Sequence, residues 1–365
     1  MSCSTGGGHD SAAKAVAEEM ERRGHRTVFL NPYKLKSDKL AKRIDNSYVS
    51  IARSAPNLFG FVYTLGNAYR RLPFRSPVYY VNKGMNNTLQ QYLEENHFDI
   101  IITSHIFPGE ILTNMKQHGI SVPKMIHIAT DYVCIPFTEE ADCDAYIIPN
   151  EDLADDFVSR GISRDKLVPL GIPTSKKFSE QENKSDVKKC LGLEPDKQYI
   201  LVSGGSMGGG NIKKAICKLQ RFFEAYENIE LIIICGSNKQ LYEDLIAQNN
   251  INIRVVGYTD DMASYIKASD LFITKPGGLS STEAAVCGVP IWHTSPIPGC
   301  ETYNARYFSE RGMSISGDVS DDVLQKVLKL LSDKKLSEEM TDNQKKYVNP
   351  NAATDICDYA EKLAE

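Results

Sequence analysis

The chain has 365 residues, 42% hydrophobic and 24% charged, a globular composition too long for one core, so two domains are expected. Its 42 Lys and Arg against 47 Asp and Glu give a formal net charge of −5, which asks for no nucleic acid. No stretch approaches the ~20 apolar residues of a membrane span. No signal peptide is read before Ser2, and the nine scattered cysteines form no Cys-x-x-Cys pair, so free thiols in a reducing cytoplasm are expected rather than a zinc site.

In chain order, Ser4 to Ala15 (STGGGHDSAAKA) puts three glycines before His9 and opens a helix running to about Arg23. A turn of this kind follows a first strand, yet only Met1–Cys3 precede it, so that strand reads as missing or truncated and the natural start as lying upstream. Val28–Asn31 reads as the next strand. Residues 40–95 interleave Tyr48, Phe59, Phe61, Tyr63, Tyr69, Phe74, Tyr79 and Tyr80 with Arg53, Arg70, Arg71 and Arg75. Such a mixture suits an anionic membrane surface, where rings bury and cations meet head groups; inward-packed aromatics with solvated arginines are the plainer account of any single residue.

Strand–helix alternation resumes with strands at Asp99–Thr103, Lys124–Thr130 and Ala145–Pro149, the second ending at Asp131. Thr174–Asp186 reads as the interdomain connection. Beyond it, strands fit Tyr199–Ser203, Ile229–Cys235, Ile253–Val256, Leu271–Thr274 and Val289–Trp292. Helices follow near Asp321–Ser332 and Ala352–Ala364. The alternation predicts two doubly wound parallel sheets facing across a cleft. The expected domains are 1–173, with an insert over about 40–95, and 185–340, with residues 341–365 a final helix returning to the first domain.

Two glycine turns mark the second domain: Gly204–Gly210 after its first strand, and Pro276–Gly278 before a helix read over Leu279–Cys287. A strand, a glycine turn and a helix N-terminus form a ready anion site. Glu283, about a turn into the helix, suits a diol such as ribose, and Cys300, Glu301 and Asn304 read as a loop able to reach a sugar. The Gly204–Gly210 run is not a nicotinamide fingerprint. His9, after its glycines, has the ordinary chemistry of a general base, and Asp131 could orient it or act as the base itself; capping or structural roles remain open for both. Asp142, Cys143 and Asp144 read as a solvated acidic loop, and no metal site is expected.

Together these segments resemble the inverting GT-B glycosyltransferases that include monogalactosyldiacylglycerol synthase and the processive diacylglycerol glucosyltransferases. The peptidoglycan N-acetylglucosaminyltransferase of the lipid II pathway is a more distant relative. The resemblance spans nearly the whole chain, on STGGGHDSA, the strand ending at Thr130 and Asp131, VVGYTDDM at Val255–Met262, and TKPGGLSSTEA followed by PGCETYN. It implies a cytoplasmic enzyme, peripherally attached to the membrane, that moves glucose or galactose from UDP-glucose or UDP-galactose to diacylglycerol without a cofactor or a metal ion. The first domain would bind the acceptor and the second the donor. Gly205, Ser206 and Met207 would line the diphosphate, Tyr258 and Met262 the uracil, Gly278, Leu279 and Ser280 would donate to phosphate, Glu283 would hold the ribose and Glu301 the hexose. His9 would stand at the acceptor hydroxyl, with Asp131 assisting. Phe59, Phe61, Tyr63, Arg70, Arg71, Phe74 and Arg75 would face acceptor and anionic lipid. Cys300 stands where the family usually has Gln, Phe137 where it often has Trp and Cys134 where it often has His, which leaves the sugar and the lipid open. The rival readings are a UDP-N-acetylglucosamine transferase to a polyprenyl-linked acceptor, a UDP-sugar 2-epimerase, and an inactive nucleotide-sugar-binding protein.

Overall fold

The computed structural model describes residues 1–3, 7–44, 60, 63–66, 69–70, 74–204, 212–250 and 252–365, with residue 212 by its backbone alone. Contacts divide the chain into two units: Met1–Lys176 with Ile297–Cys300 and Asn349–Glu365, and Lys177–Pro296 with Glu301–Val348.

The first unit is built around four parallel strands in sequence order: β1 (Ile100–Thr103), β2 (Lys124–Ile128), β3 (Ala145–Ile147) and β4 (Leu167–Val168). Parallel strands covered on both faces read as continuous apolar runs, and β2 and β3 are buried over nearly every residue. Residues 1–3 extend the sheet beyond β1. Met1 N donates to Ile102 O at 2.5 Å, Ser104 N to Met1 O at 3.2 Å, and Ser2 N to Leu30 O at 3.0 Å. The place expected to lack a strand is therefore filled over three residues, with residues 28–30 lying outside them; no ladder is formed over the expected strand at 28–31.

Helix α1 (Gly7–Arg22) buries Ala12, Ala15, Val16, Glu19 and Met20, the one-sided stripe of a surface helix. Helix α2 (Pro32–Lys36) starts under an Asn31 cap. Helix α3 (Pro77–Asn82) is capped by Ser76, and both it and α4 (Asn86–Asn96) pack against α5 (Ile106–Gln117), which buries eight consecutive residues from Pro108 to Met115. Helix α6 (Ala154–Ser159) follows β3.

In the second unit, after helix α7 (Lys184–Cys190), six parallel strands alternate with helices. These are β5 (Gln198–Ser203), α8 (Ile212–Phe223), β6 (Ile229–Ile234), α9 (Lys239–Ile246), β7 (Ile253–Val256), α10 (Met262–Ala268), β8 (Leu271–Thr274), α11 (Gly278–Val286), β9 (Ile291–His293), α12 (Cys300–Glu310), β10 (Ile315–Ser316), α13 (Asp321–Ser332) and α14 (Lys334–Tyr347). The spatial order β7-β6-β5-β8-β9-β10 reverses direction between β5 and β8, whose last residues, Ser203 and Thr274, are in register. That reversal point is where doubly wound sheets bind ligands, and Gly204 and Lys275 directly follow its two strands.

The last helix, α15 (Ala352–Ala364), belongs to the first unit. Its Ile356, Cys357 and Ala360 share a core with Val16 and Met20 of α1 and with Ile126 and Ile128 of β2. Arg23 ties the two helices from outside, donating to Asp358 at 2.6 Å, Glu361 at 3.1 Å and Thr354 O at 2.9 Å. The return falls at Asn349 rather than 341 because α14 is one unbroken helix that stops just before Pro350. Asn349 then donates to Leu170 O at 2.8 Å, against Gly171, whose φ of +99° strains any side chain and where a Cβ would crowd Asn349 at 3.1 Å.

Candidate active site

In the first unit His9 sits in the first turn of α1, beyond the carboxyl ends of residues 1–3 and β1. Its Nδ1 lies 2.7 Å from the carbonyl oxygen of Ser104 and 3.0 Å from Thr130 Oγ1. The Ser104 hydroxyl donates back to the His9 carbonyl at 2.7 Å. A carbonyl only accepts, so a neutral His9 carries its proton on Nδ1 and presents Nε2 as the basic nitrogen. His105 meets the ring edge-on, with centroids 4.7 Å apart. Burial holds the His105 pKa well below the ordinary histidine value and that of His127 down at about 3, with the neighbouring His9 adding to both shifts. Of the three imidazoles, the two behind are locked neutral and half-buried His9 faces a small cavity lined also by Ser104, Phe107, Thr130 and Asp131. His9 and Asp131 thus line the same cavity, while Ser104 and Thr130, which hold the ring, have no site role in the sequence reading.

In the second unit β8 runs into Lys275, Pro276 and the α11 N-terminus. The cap position, Gly277, makes no side-chain cap bond, which leaves the amides of Gly278, Leu279 and Ser280 for an anion. The Leu279 side chain is buried and only its backbone is available. Ser281 lies 2.8 Å from Nε2 of His293, fastening this first helical turn to the end of β9; burial lowers the His293 pKa to about 3, so it serves there as a neutral partner. Glu283 is half-buried as a residue, yet its carboxyl is enclosed by protein and burial pushes its pKa up to about 8.

The sugar-side residues stand on a helix, not on the loop the sequence reading expected. Gly299, at φ +120°, ends the proline-rich turn, and α12 starts at Cys300 because Asn304, Ala305, Tyr307 and Phe308 recur on one buried face. Asn304 is fully buried and donates to Pro276 O at 3.0 Å, so it holds the turn instead of touching a sugar. Glu301, one helical turn earlier, receives Lys275 Nζ at 3.2 Å. Cys300 is half-buried and falls in the first unit. Tyr258 is exposed, its phenol pKa raised by a hydrogen bond with Asp260, and Met262 opens α10 under an Asp261 cap. Gly205, Ser206 and Met207 lie outside the described residues, as do Phe59, Phe61 and Arg71.

Arg70 and Arg75, expected to face lipid, turn inward. Arg75 donates to Glu140 O at 2.7 Å and stacks 4.3 Å above the ring of buried Tyr79, and Arg70 pairs with Glu139 at 3.8 Å. Tyr63 is half-buried against Gly299. Phe74 is the outward member, 64% exposed, joined by Tyr80 and by Val81 at 74%. Of the acidic loop, Asp142 is exposed as read, whereas Cys143 is fully buried and Asp144 accepts from Met125 N at 2.8 Å.

Comparison with known proteins agrees with this layout. Residues 9–174 match the family model of monogalactosyldiacylglycerol (MGDG) synthase, and residues 199–356 that of the glycosyltransferase family 28 C-terminal domain. The processive diacylglycerol beta-glucosyltransferase of Bacillus licheniformis is 27% identical over 99% of this chain and 94% of its own length. The Staphylococcus saprophyticus protein of the same name is 30% identical over 72% of this chain and 68% of its own. Among solved structures, MurG of Acinetobacter baumannii superposes with a TM-score of 0.63 over 99% of this chain and 98% of its own, at 17% identity, a likeness of fold.

Proposed function

Because the chain belongs to the family of the monogalactosyldiacylglycerol synthases and processive diacylglycerol glucosyltransferases, we propose that it moves a hexose, glucose or galactose, from a UDP-sugar to the hydroxyl of diacylglycerol with inversion. In this reading the second unit holds the donor: α11 amides meet the diphosphate, Glu283 the ribose, Tyr258 and Met262 the uracil, and Glu301 the hexose. The acceptor hydroxyl comes to His9. Nε2 takes its proton as the oxygen bonds to the anomeric carbon, and the electron pair of the breaking C1–O bond leaves on the β-phosphate of UDP. Helix N–H groups answer that developing charge, so no metal ion is given a role. Asp131 stands beside His9 as the assisting carboxylate.

The observation that carries the reading is the fixed tautomer of His9 beside the carboxyl end of β1. Attachment is assigned to the membrane surface, on its cytoplasmic side, through Phe74, Tyr80 and Val81; among the described residues no helix is long and apolar enough to cross a bilayer. Anionic lipid is the proposed surface. The test is UDP release from a panel of UDP-sugars with and without diacylglycerol in mixed micelles. Release that depends on diacylglycerol with UDP-glucose or UDP-galactose supports the reading and names the hexose; release indifferent to it, or none at all, counts against it.

A further inference from the structure

We propose that Lys275 is a diphosphate-binding residue of the donor site, held ready by Glu301; this rests on the UDP-sugar reading above. Lys275 follows the last residue of β8, at the reversal point of the sheet, and stands two residues before the cap of α11. The backbone it springs from is fastened on both sides: Gly277 N donates to Lys275 O at 2.8 Å, and Asn304 donates to Pro276 O at 3.0 Å. Glu301 and Asn304 lie three apart on α12, on one face, so a single helical turn grips both the lysine and its turn.

The side chain is confined yet underused. Lys275 Nζ lies 3.2 Å from Glu301 Oε1, and each side chain is only 13% exposed. An ammonium has three donors, and among the described residues Glu301 takes one. A sheltered cation with two N–H groups unspent, beside an uncapped helix N-terminus, matches a group bearing two negative phosphates. A bound diphosphate completes the ammonium's donor set, adds to the attraction of the helix end, and lets the same cation face the charge that grows on the leaving UDP. Glu301 both aims the lysine and stays close enough to the phosphates to meet the sugar attached to them.

Binding of UDP and of uridine to the purified protein, measured by calorimetry, tests this. For Lys275→Met the expected result is a loss of UDP affinity of roughly ten- to hundredfold, the worth of a hydrogen bond to a charged group, with uridine affinity unchanged and partial recovery in Lys275→Arg. Glu301→Gln separates contact from scaffolding: if Lys275 touches phosphate, removing the competing carboxylate keeps or raises UDP affinity. Unchanged UDP binding in Lys275→Met overturns the proposal, as does equal loss of UDP and uridine. So does a Glu301→Gln variant that loses UDP as Lys275→Met does. Wild-type protein that binds no UDP refutes the donor reading itself, and the proposal falls with it.

Discussion

The imidazole of His9 is held through Nδ1 by the carbonyl oxygen of Ser104, 2.7 Å away, and the Ser104 hydroxyl returns the grip on the His9 backbone at the same distance. The pair joins the start of α1 to the end of β1 and leaves Nε2 as the nitrogen that takes a proton. Replacing His9 by Gln is expected to lower transfer by about 10²–10⁴-fold, the usual contribution of a positioned base, while UDP binding persists. Ser104→Ala removes one hydrogen bond, worth about 1 kcal/mol, and is expected to lower kcat by roughly fivefold with little change in KM for the donor. Steady-state kinetics on both variants checks the order of these losses.

Glu283 gives the donor site a pH signature. Burial raises its pKa from 4.5 to about 8, so the folded protein favours the protonated form. The stabilising contribution of that proton is complete below pH 4.5 and is lost as pH rises towards 8. A ribose diol donates best to a carboxylate, so UDP binding near neutral pH is expected to release a proton. Calorimetry in buffers of different ionisation enthalpy reads that release directly. Glu283→Gln should abolish it and should flatten the fall in urea midpoint between pH 5 and 8.

Much of the second unit was legible in the sequence. Ile253–Val256, Leu271–Thr274 and Asp321–Ser332 appear as read, and so does Ala352–Ala364 in the first unit, because each is a bounded apolar run or a clean stripe. Lys334–Tyr347 escaped notice because it buries only Met340 and Gln344. The helix at Cys300 was hidden by the Pro-Gly turn before it. Arg75 and Lys275 were misjudged or missed for a shared reason: their partners, Glu140 and Glu301, lie 65 and 26 residues away. Local pattern tells which residues are charged, and only the fold decides where they point.

Asn304 is expected to matter through packing. It is fully buried and its amide satisfies Pro276 O, so Asn304→Ala strands a buried carbonyl at a cost of about 1–3 kcal/mol. The melting temperature should fall, with UDP affinity weakened as the turn before α11 loosens. A variant that melts like wild type would contradict this role.

The lipid surface is expected to be apolar more than cationic. Exchanging Phe74 and Val81 for Ser removes side chains worth about 1.5–3 kcal/mol each when buried, and should sharply reduce flotation with vesicles containing phosphatidylglycerol while leaving the fold intact. Arg75→Ala instead removes the bond to Glu140 O and the stacking on Tyr79, and should appear first as lost thermal stability.

The most direct test follows labelled hexose from its UDP carrier into diacylglycerol and determines the anomeric configuration of the lipid product by NMR, for wild type and His9→Gln. The account expects label in the lipid phase, a configuration opposite to that of the donor, and product from the variant reduced by at least about a hundredfold. Label that never leaves the aqueous phase, a retained configuration, or equal product from the variant would contradict it.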